Sequence, residues 1–445
     1  MDSPKYFYLE KNMKRFLFII FVILCSYNLK AEGAKSKAYE YRIFDGTQDS
    51  FTMRQMDLAY LSTARLINRG VEGIFGDKKF LKIKISDWID YTWPFFVYAV
   101  THEEGHRSIL TAQGIGSISQ PFFNYHMTAY VKGVSDNTLI NFRKSNKPAF
   151  IRMYTAGIES DYMMAKREEM YAAFEFDTFS ILYPDYFLRR LSIAGYLSAG
   201  IIYDAAEKNG GIYKWITDLM NVVEEPDEYA RDICGFDTFG AVRAIFKEDY
   251  TFKRYVQFSD LSREEKDFLV KRVSYRSFLN YLSLFLFTKP NINIKDKFAI
   301  SGSIGYALAP FGDFIDENIY FKWRNTGWGD LNFYFYARQA ENYNTWYPAF
   351  GVGIIELSPL KWLSISTEGH IWWQPEDMKF YTSNSFFGGA FELTAKIFII
   401  NSNYPFFVKK AGLTTSLLVK SKGFMPEIEQ LNESIRFSIG LEIAF

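Results

Sequence analysis

From about Pro290 onward the chain stops reading as helix and alternates, residue by residue, between apolar and small or polar side chains. A period of two marks extended strands, whose successive side chains point to opposite faces. Such segments are centred near residues 303, 321, 334, 352, 367, 394, 414 and 440. In the last, Ile435, Phe437, Ile439, Leu441, Ile443 and Phe445 alternate with Ser434, Arg436, Ser438, Gly440, Glu442 and Ala444. Charges recur on that second face, among them Lys322, Arg338, Glu368, Glu392 and Lys396. A soluble sandwich would turn the apolar face inward and a membrane barrel would turn it outward. Alternation alone does not separate the two.

The connections favour the barrel. Asn325–Gly329, Ser358–Leu360 and Asn401–Tyr404 are short, whereas Ala309–Asp316, Ala340–Tyr347, Gln374–Ser385 and Ser421–Glu433 are longer. Outer-membrane barrels alternate in this way, with short periplasmic turns and long outer loops. Trp323, Trp346, Trp362, Trp372 and Trp373 fall near segment ends, where interfacial girdles lie. A strand closing the chain on an aromatic resembles the terminal strand of bacterial outer-membrane barrels. The expected fold of residues 291–445 is an eight-stranded antiparallel up-and-down transmembrane β-barrel, filled by its own side chains and serving as an anchor.

At the other end, Lys11, Lys14 and Arg15 precede the apolar run Phe16–Leu24 and the small residues Ala31 and Ala34. This reads as a secretory signal over 1–33, with Met13 as the natural start. Cys25 as a lipid anchor is disfavoured by the bulky Leu24 before it. With Cys25 removed, Cys234 is the one thiol left, and no internal disulfide is expected. Lys plus Arg equals Asp plus Glu, so net charge gives no reason to expect nucleic acid as a partner.

Residues 34–290 read as a mainly helical domain. Helical periods run over 53–69, 149–176, 187–208, 212–220, 236–246 and 262–287, with a short strand at 79–85 and a loop-rich stretch at 114–148. Within it stands His102-Glu103-Glu104-Gly105-His106, in a chain with only four histidines. Pro94 suits the first turn of a helix and Gln113-Gly114 its end. Residues four apart share a helix face, so both imidazoles can hold one ion while Glu103 faces a water on it. Gly105 either lets a neighbour approach the metal closely or simply permits tight helix packing.

The motif resembles the H-E-x-x-H signature of the zincin metallopeptidases. That resemblance implies Zn²⁺, Glu103 as general base and a third ligand from another element. Glu159, on the next long helix, is similar to the glutamate of the glutamate-zincins, although Glu159-x-Asp161 departs from their Glu-x-x-x-Asp spacing. Asp161 is the alternative, as a ligand or as the carboxylate that orients a histidine. His126 is a further candidate ligand or oxyanion donor, and Tyr154 a weaker one for polarising a carbonyl. Glu168, Glu169 and Glu175 read as a solvated helix face.

The resulting expectation is a zinc metallopeptidase anchored in outer-membrane lipid, acting on envelope peptides or proteins. The loops at 340–347, 374–385 and 421–433 are expected outside, with the helical domain and its site on the short-turn, periplasmic side. The alternative is a non-enzymatic barrel protein whose helical domain binds an envelope partner.

Overall fold

The computed structural model describes residues 37–46, 51–75, 94, 97–122, 129–220, 224–247, 249–287, 290–327, 329–401 and 410–444. The signal segment, the expected strand at 79–85, His126 and Phe445 lie outside the described residues. The chain is mixed α and β, with a helical N-terminal region followed by a large antiparallel sheet.

Strand β1 (Ala38–Asp45) comes first, then helices α1 (Met53–Phe75) and α2 (Ala99–Ala112). A small hairpin follows, β2 (Ile118–Gln120) with β3 (Tyr130–Lys132). Helices α3 (Asp136–Ser145), α4 (Lys147–Ala173), α5 (Phe179–Asn209), α6 (Gly211–Met220), α7 (Asp237–Phe246) and α8 (Arg263–Phe268) come next. The expected helix at 262–287 breaks after α8 into a π-helical turn and short turns, because part of this segment bonds to a strand edge instead of to itself.

All eight alternating segments are strands: β5 (Phe298–Ala309), β6 (Gly312–Thr326), β7 (Gly329–Glu341), β8 (Trp346–Leu360), β9 (Leu363–Pro375), β10 (Ser385–Asn401), β11 (Lys410–Lys420) and β12 (Ser434–Ala444). Each pairs with its sequence neighbour. The sheet takes two further strands, the three-residue β4 (Ile292–Ile294) beside β5 and β1 beside β12. Among the described residues it is ten-stranded and open, with β1 and β4 at its edges. The expected long connection at 309–316 is only 310–311, because β5 and β6 pair as far as Ala309 and Gly312.

The alternation resolves in one sense. In β12, Ile435 is 71 % and Leu441 40 % exposed, while Arg436 and Glu442 are 4 % and 3 %. The apolar face looks out and the polar face is covered. What covers it is helical. The sheet curls round α1 and α4, so the boundary near residue 290 divides helix from strand in sequence and not in space. Arg54 of α1 bonds both oxygens of Glu392 at 2.7 and 2.8 Å. Tyr162 of α4 donates to Asp316 at 2.7 Å, and Arg338 also clasps Asp316. Glu168 and Glu169 are therefore buried and not solvated. Helix α1 repeats the pattern, burying Arg54, Asp57, Arg65 and Asn68 while Leu66 is exposed.

The open edges are capped by side chains and one loop. On β1, Glu40 N–H donates to Ser62 Oγ at 3.0 Å, and Ser62 donates back to Glu40 O at 2.7 Å. On β5, Ile304 N–H donates to Leu282 O at 2.8 Å. Asn280 accepts from Tyr306 N–H and donates to Tyr306 O, both at 3.0 Å. These backbone groups of β1 and β5, which would otherwise lie orphaned at a sheet edge, are thus partnered.

Glu169 is the densest junction between helix and sheet. It pairs with Arg190 and accepts hydrogen bonds from Tyr186, Ser303 and Tyr320. Removing one partner of a buried ion pair strands the other charge. Glu169→Ala should therefore destabilise the fold by about 3–5 kcal/mol. Chemical or thermal unfolding of the variant in detergent checks this, and a change below about 1 kcal/mol would contradict the central role given to this pair.

Candidate metal centre

Helix α2 carries His102 and His106 one turn apart, and both are buried. It crosses α4 at a distance only glycine allows. A Cβ on Gly105 would lie 2.4 Å from Ala156 O, so tight helix packing is the role this glycine fills. A Cβ on Gly157 would lie 2.4 Å from Nε2 of both histidines. The missing side chain of Gly157 leaves open the space toward which the two nitrogens converge.

The third group is Asp237, in the first turn of α7. Its Oδ2 is 3.1 Å from His102 Nε2 and 3.4 Å from His106 Nε2. Two ligands about a tetrahedral zinc stand roughly 3.4 Å apart, from metal–ligand distances of about 2.0–2.2 Å. The donor set therefore fits a small divalent ion, and among the described residues it is the one His/Cys/Asp/Glu group of such geometry.

The far side of each ring is held. His102 Nδ1 is 2.9 Å from Asp161 Oδ2, and His106 Nδ1 is 2.6 Å from Met153 O. An acceptor at Nδ1 keeps the proton there and leaves the Nε2 lone pair for a metal. Asp161 is itself fixed by Arg189 at 2.9 Å, and Arg189 also donates to Thr101. Tyr196 of α5 stacks on the His102 ring at 5.2 Å.

Charge among these side chains is tightly balanced. Burial works against a protonated His102, but the Asp161 carboxylate outweighs it and the pKa rises. For His106 burial is likewise outweighed, here by Asp237. Asp237 is held well below the usual carboxylate range, because both histidines offset its burial. Burial pushes Glu103 up to about 8 and, with Asp237 adding, Asp232 up to about 7.

The remaining candidates lie elsewhere. Glu159, expected as third ligand, is clasped by Arg152 at 2.6 and 3.0 Å and accepts Glu427 N–H at 2.8 Å. A carboxylate committed to a buried guanidinium is not free to reach the histidines. Tyr154 packs against Gly240 in the core, its hydroxyl without a hydrogen-bond partner among the described residues. His370, which is not among those candidates, meets Tyr336 within the sheet. Asp237 and Tyr196 went unread because no spacing links them to the motif. The one available signal was an acidic residue opening a helical period at 236–246.

The centre also sits at a particular end of the sheet. Arg152, near the start of α4, donates to Ile428 O and Glu429 O at 2.6 and 3.1 Å in the 421–433 connection. Past the other end of α4, Glu175 pairs with Arg324, close to the end of β6 at Thr326. Helix α4 therefore runs the height of the sheet, and Gly157 lies toward the end bearing 376–384 and 421–433. That end carries the two longest connections, 376–384 and 421–433, and is opposite to the side expected for the site.

Asp237→Ala should remove one of three ligands and abolish stoichiometric zinc. Asp161→Asn should weaken zinc about 10- to 100-fold by freeing the His102 ring. Glu159→Gln should leave affinity unchanged. Competition titrations with a chromogenic chelator check all three, and loss of zinc in Glu159→Gln with retention in Asp237→Ala would reassign the third ligand. Binding should also release protons, so apparent affinity should fall as pH is lowered.

No family model matches the chain, and no curated protein or solved structure does either.

Proposed function

We propose that this protein is a zinc-dependent hydrolase of a peptide, amide or ester carbonyl, seated in a bacterial outer membrane by a barrel-like wall of strands and helices. The observation that carries the enzymatic reading is the convergence of two Nδ1-anchored imidazoles and the Asp237 carboxylate on the space left by Gly157. Support for the membrane reading comes from the sheet's polarity, apolar outward and charged inward, which suits lipid around it. Among the described residues no helix is long and apolar enough to cross a membrane.

In this reading His102, His106 and Asp237 hold the ion. Bound there, the metal acidifies a water and polarises the scissile carbonyl. Asp161 and the Met153 carbonyl keep both rings oriented. Glu103, buried beside the histidines, takes the proton from the water and passes it to the leaving group. Peptide bonds are the substrate suggested by the zincin-like motif.

Orientation follows from connection length. Long connections face outward in bacterial barrels, and the centre lies at the end that carries 376–384 and 421–433. The site then opens toward the cell exterior, the reverse of the expectation built on the short turns.

Glu103→Gln should retain near-stoichiometric zinc and lose at least about 100-fold in hydrolysis. A metal-free wild type would instead favour the non-enzymatic, partner-binding reading. An epitope inserted near the exposed Tyr229 and another at 376–384 should both be labelled on intact cells. Protection of both until the outer membrane is permeabilised would return the site to the periplasm.

A further inference from the structure

The wall around the centre is not uniform. Strands β5 to β12 and β1 are joined by continuous ladders, whereas the gap between β1 and β5 is spanned by helices held through Ser62, Asn280 and the Leu282 carbonyl. In hydrocarbon an open sheet edge is not tolerated unless its polar groups are met, and here those of Glu40 on β1 and of Ile304 N–H and Tyr306 on β5 are met. The helical section is also apolar outside. Tyr275, Phe278, Leu282 and Phe287 are exposed along the segment beside β5. On α5, Phe187, Leu191, Gly195, Ser198 and Ile202 form one outward stripe at helical spacing, none of them buried. Both faces are exposed and carry apolar side chains, as the outer face of the strands does.

The metal centre lies directly behind α5. The inner side of that helix contributes Arg189 and Ser192 to Asp161, and Tyr196 to the His102 ring. One helix separates the centre from the stripe. Depth also matters. Tyr162 of α4 bonds Asp316, four residues along β6 from Gly312 at the rim. Gly157 is five residues nearer that rim, which puts the centre on the order of 5 Å from it. A bilayer keeps its polar headgroup zone at that level, just outside the hydrocarbon core.

Resting on the hydrolase reading above, we propose that the helical section is a lateral entrance from the bilayer, and that the substrate is a fatty-acyl ester or amide of a membrane lipid. A ladder of strands opens only by breaking many backbone hydrogen bonds together, whereas among the described residues no ladder joins β1 to β5 and their facing edges are met by side chains and one loop carbonyl. An acyl chain lies along the α5 stripe, where a Cβ on Gly195 would meet nothing within 4 Å. The carbonyl then sits at headgroup depth beside the centre. In the reaction a water oxygen bonds to the acyl carbon and the bond from that carbon to the head-group oxygen or nitrogen breaks. The proton carried by Glu103 leaves on the freed alcohol or amine. No oxidant or reductant enters.

The test uses the full-length protein in vesicles of phosphatidylethanolamine with lipid A. Expected are Glu103-dependent release of fatty acid and photolabelling of the tryptic peptide 191–208 by a phospholipid with a diazirine acyl chain, with or without zinc. Gly195→Trp, which fills the stripe, should cut both labelling and fatty-acid release at least tenfold with zinc content unchanged. If label falls on the strands alone, and soluble peptides are cleaved in a Glu103-dependent way while lipid is untouched, the lateral entrance is overturned and the hydrolase stands. A protein that binds no zinc overturns both.

Discussion

The charged inner face of the sheet has to be neutralised, and most of the structure follows from how that is done. Arg436, Glu442, Lys396, Glu392, Arg338 and Asp316 are all buried and cannot look to bulk water. A charge in low dielectric is tolerated only when paired and hydrogen-bonded. Some pairs form between strands, as Arg338 with Asp316 and Lys396 with Glu442. Others need a helix, as Glu392 with Arg54 and Glu427 with Arg167. Helices α1 and α4 are held on the inside by charge matching as well as by apolar packing against the strands.

That arrangement fixes the candidate metal centre. Helix α4 is anchored at one end by Arg152 on the 421–433 connection and at the other by the Glu169 cluster. Helix α2 docks on it through Gly105 and Gly157, so the imidazoles inherit the position of a helix tied to the sheet at both ends. Asp161, Arg189 and Met153 then set ring orientation. A cavity of about 180 Å³ remains beside α4, lined by Lys166, Glu368, His370 and Lys396 among others. The helices thus occupy only part of the enclosed space.

The Arg152–Glu159 pair illustrates how one interaction redirects a chemical reading. The two residues stand seven apart on one helix, two turns along nearly the same face, so each can reach the other. Once paired, Glu159 accepts Glu427 N–H as well and becomes a structural tie. Its place at the histidines passes to Asp237, from a helix far along the chain.

The sequence by itself determined all that depends on local periodicity. The eight strand segments, the α2 helix ending before Gln113-Gly114, and the shared face of His102 and His106 follow from side-chain spacing along one element. Asp161 as an orienting carboxylate was legible because the motif calls for such a partner on the next helix. Only the tertiary structure decided which sheet face is outside, that β1 joins β12, that α1 and α4 lie within the curve, and that Asp237 completes the centre. These outcomes turn on contacts between residues distant in sequence. Alternation is symmetric between its two faces, and a carboxylate carries no mark of which imidazole or guanidinium it will meet. The burial of Glu168 and Glu169 shows this most plainly: a charged helix face seeks water only until a charged sheet is folded around it.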